Sequence, residues 1–269
     1  MELLKQMARE IRAHGENIVF VDVGAAGGFP RQWTELAQEG MAQIYGFEPD
    51  VEALAKIPKD SPGTLLPYAL GDREEDRTLY LTRMPACSSV LEPTAKGVQH
   101  LPVRKVFDTI RTVPCSLIRM DTLVARGEMA QPDFIKTDVQ GFDYEVLKGA
   151  EGVMENVAAV SAETQFVEIY KGQKLFGDIR EMMYELGFIL RHIHIRGPFD
   201  GEVLEADVFF SRPLKMNRFR PKILLWERAT KIKTQTFLER SANWPADYRV
   251  ALSEEDRLVR SAPLYPVKE

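Results

Sequence analysis

Residues 18–24 run Ile-Val-Phe-Val-Asp-Val-Gly, and a turn of small residues, Ala25-Ala26-Gly27-Gly28, follows at once. No other stretch restricts the fold as much. The run has strand length, and it lacks the polar–apolar alternation of a strand with one wet face. It therefore reads as a strand buried on both sides, as in a parallel sheet. Glycine and alanine directly after it allow a tight turn, close approach of a ligand to backbone, and exposed N–H groups at a helix start.

The flanking sequence repeats the pattern. Leu3, Leu4, Met7 and Ile11 share one face of a helix expected over 2–14, an N-terminal cap. A helix near 31–39, a strand at 44–49, a short helix at 51–57 and a strand at 65–70 give β-α-β-α-β, half of a doubly wound sheet. Residues 77–83 alternate as a strand, 85–96 read as a loop and 111–120 as an extended piece. Residues 133–139 and 158–164 return to the buried-strand pattern, separated by a helix at 144–157. A helix at 177–186 precedes an antiparallel pair at 187–195 and 204–212.

Composition limits the class. With 269 residues, 45% hydrophobic and 28% charged, the chain has the balance of a folded globular protein of one to two domains. Two cysteines, Cys87 and Cys115, are too few for a disulfide framework or a cysteine-rich zinc site. The N-terminal stretch carries charges through its apolar positions, unlike a signal peptide. No apolar run reaches the ~18 residues of a membrane span. The expectation is a soluble, cytoplasmic protein with no transmembrane segment. A net charge of −5 argues against a general nucleic-acid binder. Charge is unevenly spread, however: between 212 and 233 lie Arg212, Lys215, Arg218, Arg220, Lys222, Arg228, Lys231 and Lys233 against Glu227 alone. The expected division is a domain over 1–212 and a basic extension over 213–269.

The turn at 24–28 favours one class of cofactor. In the dinucleotide fingerprint G-x-G-x-x-G the second glycine makes room for a pyrophosphate; Ala26 stands there, against NAD or FAD. Glu48 ends the second strand, where an acid can accept hydrogen bonds from both ribose hydroxyls. Asp22 adds a carboxylate where a cationic amine could sit. An adenosine bearing an ammonium group and no pyrophosphate describes S-adenosylmethionine.

The segments VDVGAAGGF, YGFEPD, YALGD, ACSSVLEP, MDTL, IKTDVQGFDYEVLKGA and ETQFVEIYKGQKLF occur in the order seen in FkbM-type methyltransferases, which the chain resembles from about 19 to 212. Those enzymes mostly O-methylate sugars or natural products. One departure stands out: the family's D-x-E-G-x-E is here Asp138-Val139-Gln140-Gly141-Phe142-Asp143. The resemblance implies an α/β class I methyltransferase fold, Rossmann-like and doubly wound. Its seven-stranded, mostly parallel sheet has one antiparallel strand in the last hairpin, and here a C-terminal helical and irregular extension follows. It also implies that Gly24 and Ala26, with Gly27 beside them, line the methionine part of the cofactor, that Glu48 holds the ribose, and that Leu70, Gly71 and Asp72 lie near the adenine.

Transfer of a methyl to a hydroxyl calls for alignment and a base, sought at the carboxyl ends of the strands. Asp138 ends the fourth strand, with Lys136 on the same face as a partner or substrate-orienting group. Glu163, with Gln165 on its face, is the second candidate base. The two carboxylates would suit Mg²⁺. Ser88, Ser89, Gln140, Gln165, Tyr170, Lys171 and His192 are candidates for the acceptor site. His192 and His194 otherwise read as an exposed strand face, and the two cysteines as packing residues. Two other functions fit the same fold: an NAD(P)-dependent sugar-modifying oxidoreductase, and a non-catalytic module that binds S-adenosylmethionine or a glycan. The extension is expected to form a helix over 222–240 with Leu225, Ala229, Ile232 and Trp226 on one side. That helix would dock on the domain or a second subunit, or lie on an anionic membrane through 213–233. Residues 241–269, with Trp244, Pro245, Tyr248, Pro263, Tyr265 and Pro266, read as an irregular wrap.

Overall fold

In a computed structural model that describes residues 1–232 and Leu264, the run at 18–24 forms β1 (Val19–Val23), every residue of it buried. The chain begins with α1 (Glu2–Ala13). After β1 come α2 (Arg31–Gln38), β2 (Gln43–Phe47), α3 (Val51–Leu54), β3 (Thr64–Leu66), β4 (Ala69–Leu70) and β5 (Glu75–Thr82). Next are β6 (Thr109–Ile118), α4 (Met120–Ala125), β7 (Phe134–Thr137), α5 (Asp143–Lys148) and β8 (Ala159–Gln165). The last elements are α6 (Phe176–Glu185), β9 (Ile189–Phe199), β10 (Glu202–Ser211) and α7 (Arg220–Thr230).

Seven strands make one sheet in the order β3-β2-β1-β7-β8-β10-β9. β1 pairs in parallel with β2 and β7, and β7 with β8. β10 runs antiparallel to both β8 and β9, so it alone is reversed. The fold is thus the expected α/β, mostly parallel, class I methyltransferase sheet. The chain winds outward from β1 to β3 and restarts on the other side of β1 at β7. The crevice where the order reverses, above β1 and β7, is where open α/β sheets bind ligands.

The expected single strand over 65–70 is divided. Pro67 has no N–H to give a ladder, so β3 stops at Leu66 and Ala69–Leu70 pairs instead with β6. With β5 they form a second, three-stranded sheet, β4-β6-β5. The expected helix over 144–157 is also shorter, α5 ending at Lys148 with only a single tight turn at Met154–Asn156.

Period-two alternation sends Val21, Ile135 and Val160 into a core under α4, α5 and α6. Phe20, Phe134 and Ala159 face the other way, into a second core with Trp33, which stacks on Phe20 at 4.5 Å. α7 completes that core. Its Ile223, Leu225, Trp226 and Ala229 are buried with Leu4, Ala8 and Ile11 of α1. Lys222 reaches Asp133 at 2.6 Å and Glu16 at 3.3 Å, and Glu227 pairs with Arg191 at 2.7 Å. The helix ends at Thr230, with Lys231 in the left-handed conformation (φ 58°), earlier than the expected 240. The remainder of that expected helix and the wrap at 241–269 lie outside the described residues, Leu264 apart. Among the described residues no helix is long and apolar enough to cross a membrane.

Candidate active site

Gly24 follows β1 with φ +87°, and a Cβ on it would lie 2.1 Å from the carbonyl oxygen of Asp138. Only glycine lets the ends of β1 and β7 come this close. The N–H groups of Gly24 and Ala25 both donate to the Phe47 carbonyl at 3.0 Å, fixing the turn over the end of β2. Ala26 and Gly27 are left exposed at the rim of a cleft of about 290 Å³. Glu48, Pro49 and Asp50 form its second wall. Leu70, Leu79 and Leu81 of the small sheet, with Tyr68 from the link before β4, supply an apolar wall. Pro85, Ser88 and Ser89 close it above Asp138 and Gln140.

Glu48 is 7% exposed. Its Oε1 accepts the Asp50 N–H at 2.7 Å, and among the described residues no cation pairs with it. Burial pushes its carboxyl above the usual range. Such a group calls for hydroxyl or amide donors from a ligand.

On the polar upper part of the sheet face, Asp138 lies just past β7 and lines the cleft. Its Oδ1 accepts from Gln140 Nε2 at 3.1 Å, and its Oδ2 lies 3.8 Å from Lys136 Nζ and 3.9 Å from Arg196 Nη2. Arg196 is itself held by Asp207 through two hydrogen bonds of 2.8 and 2.7 Å. Glu163 sits behind Gln140, 3% exposed, and takes hydrogen bonds on Oε2 from Gln140 and from Gln165 at 3.2 Å. Burial, then the charges of Asp138 and Glu205, raise its carboxyl well above the ordinary value.

The sequence profile of the Methyltransferase FkbM domain matches residues 22–190. The chain belongs to this family. Hexuronic acid methyltransferase AglP of Haloferax volcanii is 30% identical over 136 residues, 49% of this chain and 48% of that protein. The chain thus spans about half the length of the curated relative it matches. Among solved structures, magnesium protoporphyrin IX methyltransferase (ChlM) from Synechocystis PCC 6803 with bound SAM aligns over 79% of each chain at 13% identity, TM-score 0.39. A 1,6-didemethyltoxoflavin-N1-methyltransferase from Burkholderia thailandensis aligns over 78% of this chain and 77% of that one at 10% identity, TM-score 0.35.

Within this FkbM domain the structure moves several expected residues out of the cleft. Asp22 is buried and bonded to Lys136 Nζ at 2.8 Å, so its charge is engaged by that lysine and is not offered to a ligand amine. Lys136 in turn is lifted above its ordinary value: burial pulls it down, but Asp22 and Asp138 outweigh it. Gly71 turns toward α5, because its carbonyl oxygen would lie 1.9 Å from a Cβ on Gly149, and Asp72 pairs with Arg73 at 3.2 Å. Of that turn only Leu70 lines the cleft. Tyr170 and Gln165 are buried, and Lys171 is an exposed partner of Glu92 at 3.4 Å. His192 packs on Phe209 at 5.9 Å, which in turn meets Trp226, on the α7 side of the molecule; His194 pairs with Asp207 at 3.4 Å. Ser88 and Ser89 do line the cleft. Ser88 Oγ accepts the Thr82 N–H at 3.2 Å, and Ser89 Oγ donates to the Gln140 carbonyl at 2.7 Å.

The magnesium expectation does not fit the donor set. A side-chain amide of Gln140 stands between Asp138 and Glu163, presenting N–H donors where a cation would need lone pairs. Among the described residues no three His, Cys, Asp or Glu are grouped to hold a metal. Arg196, absent from the sequence-based set, was legible: it is next after His192 and His194 on the same strand face. Leu79 and Leu81 were legible in the alternation of 77–83. Gln173, whose Oε1 accepts the Ile169 and Tyr170 N–H groups, left no signal in the sequence.

Proposed function

We propose that the chain is an S-adenosylmethionine-dependent O-methyltransferase acting on a hydroxyl of a sugar, glycan or related natural product. Glu48 carries the reading: a buried, cation-free carboxylate on a cleft wall, beside a turn that only glycine can make, suits a ribose diol. The apolar wall of Leu70, Leu79 and Leu81 suits the adenine, and the exposed Ala26-Gly27 turn suits the methionine portion. Bound there, S-adenosylmethionine would supply an electrophilic methyl on a sulfonium. Asp138 lines the cleft, and its carboxylate takes the proton of the acceptor hydroxyl as that oxygen gains the methyl. Membership of the FkbM family favours this reading over the NAD(P)-dependent oxidoreductase, and the AglP relative, named for a hexuronic acid, supports a sugar acceptor.

Calorimetric titration with S-adenosylmethionine tests the cofactor site. Glu48→Ala is expected to weaken binding about ten- to a hundredfold, the worth of a charged hydrogen bond of ~1.5–3 kcal/mol. An unchanged affinity in a folded variant removes the ribose assignment. Transfer of labelled methyl to oligosaccharides, with mass spectrometry of the product, separates the enzyme from a module that only binds.

A further inference from the structure

Gln140 occupies a place no simple loop residue needs. It has φ +55°, a conformation non-glycine residues rarely adopt, and Gly141 follows at φ +87°. Two left-handed residues in succession fold the chain back, so that the Gln140 side chain enters the gap between the ends of β7 and β8. The direction of its amide is fixed from outside. The Tyr170 hydroxyl is buried between the Cys87 carbonyl at 2.9 Å and Gln140 Oε1 at 3.0 Å, two acceptors that share its one proton, so the amide oxygen is the end held on the tyrosine side. That leaves Nε2 facing the acids, one N–H toward Asp138 Oδ1 and one toward Glu163 Oε2. A second amide chain arrives at the same oxygen. Gln173 Oε1 is held by two backbone N–H groups, its Nε2 donates to Gln165 Oε1 at 3.3 Å, and Gln165 Nε2 donates to Glu163. Both chains therefore converge on Glu163 with their N–H ends forward.

We propose that Gln140 is a positioning residue of the methyl-transfer site: its amide, oriented by Tyr170, ties Asp138 Oδ1 to the buried Glu163 carboxylate and leaves Asp138 Oδ2 as the one oxygen turned to the acceptor. The inference rests on the function proposed above and gives Gln140 a role other than touching substrate. Around this pair face Asp22 from β1, Lys136 from β7, Asp143 from α5, Glu205 and Asp207 from β10, Arg196 from β9 and the Tyr170 phenol, so acids outnumber cations. In such a cluster a neutral amide bridges two carboxylates without adding a third negative charge.

The experiment follows methyl transfer from methyl-labelled S-adenosylmethionine to neutral-hexose and hexuronic-acid oligosaccharides, with ¹³C-carboxyl NMR titration of the same proteins. Gln140→Ala is expected to lower kcat about a hundredfold, the cost of a misplaced reacting group, with acceptor KM and cofactor affinity changed less than about twofold. Gln140→Glu is expected to move the acid limb of the kcat–pH profile up by about one pH unit, because a third carboxylate disfavours ionisation of Asp138. Tyr170→Phe keeps the ring and packing, and is expected to lower kcat roughly tenfold with the profile moved the same way, as a lost orienting hydrogen bond would do. In the NMR titration, the Glu163 carboxyl moves upward in Gln140→Ala. Wild-type kcat in both Gln140→Ala and Tyr170→Phe overturns the proposal, as does a Glu163 titration that is the same in wild type and variants. A Glu163 signal that responds to Gln140, in a wild-type protein that binds S-adenosylmethionine yet methylates no hydroxyl, instead overturns the function, and with it any part for Gln140 in methyl transfer.

Discussion

Asp143 shows how the interior of this site sets charge. It opens α5 and is fully buried beside the ends of β7 and β8. Burial, with the charge of Asp138 added, pushes its carboxyl up to about 7. In the unfolded chain the same group titrates near 4. Between about pH 4 and 7 the folded protein therefore holds a proton that the unfolded chain has released, and stability falls as pH rises through that window. A shift of this size corresponds to about 4 kcal/mol at its limit. Asp143→Asn, which never ionises, is expected to match wild type in thermal unfolding near pH 4 and to exceed it increasingly up to about pH 7.5. A melting-temperature difference that stays constant with pH would remove Asp143 as the source. Asp22 behaves differently. Burial raises both carboxyls, but at Asp22 the Lys136 ammonium at 2.8 Å opposes that rise. The sequence shows both acids and neither partner, because strand period gives the face of a residue and not the groups that cover it.

At the scale of elements, the buried strands were legible because β1, β7 and β8 are short apolar runs bounded by turn residues. The features that the pattern concealed depended on single residues or on length. Pro67 divides an otherwise continuous apolar run between two sheets. α4, six residues long, is too short to show a helical period. The two αL residues at 140 and 141 that steer the β7–α5 connection carry no periodic signal at all. The tightest constraint lies between elements, where the turn after β1 meets the turn after β7 at Gly24. Gly24→Ala must place a methyl 2.1 Å from the Asp138 carbonyl in a backbone conformation that disfavours any side chain. Strain and overpacking together are expected to cost about 2–5 kcal/mol. Denaturant unfolding measures that loss, and calorimetry should show S-adenosylmethionine binding weakened as well, since the same turn forms the cleft rim. A variant as stable as wild type would mean that the two turns can part without cost.

For the whole molecule, the decisive relation is between the sheet and the segment after β10. The sheet face that carries Lys136 and Asp138 at its upper end carries Phe20, Phe134 and Phe209 lower down, and α1, α2 and α7 cover that apolar part. The basic residues of this stretch are partly committed to the body. Lys222 meets Asp133 and Glu16, Arg218 donates to the Glu155 carbonyl, and Arg212 lies over Phe188 while donating to the carbonyls of Met154, Val157 and Leu186. An amphipathic helix on a membrane would instead turn its apolar side to lipid and leave those acids unpaired. We therefore expect the extension to act as part of the core. Removing 213–269 would uncover the α1 face of Leu4, Ala8 and Ile11 and the Phe209 ring under Trp226, a contiguous apolar patch of the kind that drives association. The truncated chain should aggregate or melt well below the full-length protein, and full-length protein should not sediment with vesicles rich in anionic lipid. A truncated chain that stays monodisperse, equally stable and able to bind S-adenosylmethionine, while only the full-length protein sediments with those vesicles, would assign 213–233 to a membrane surface instead.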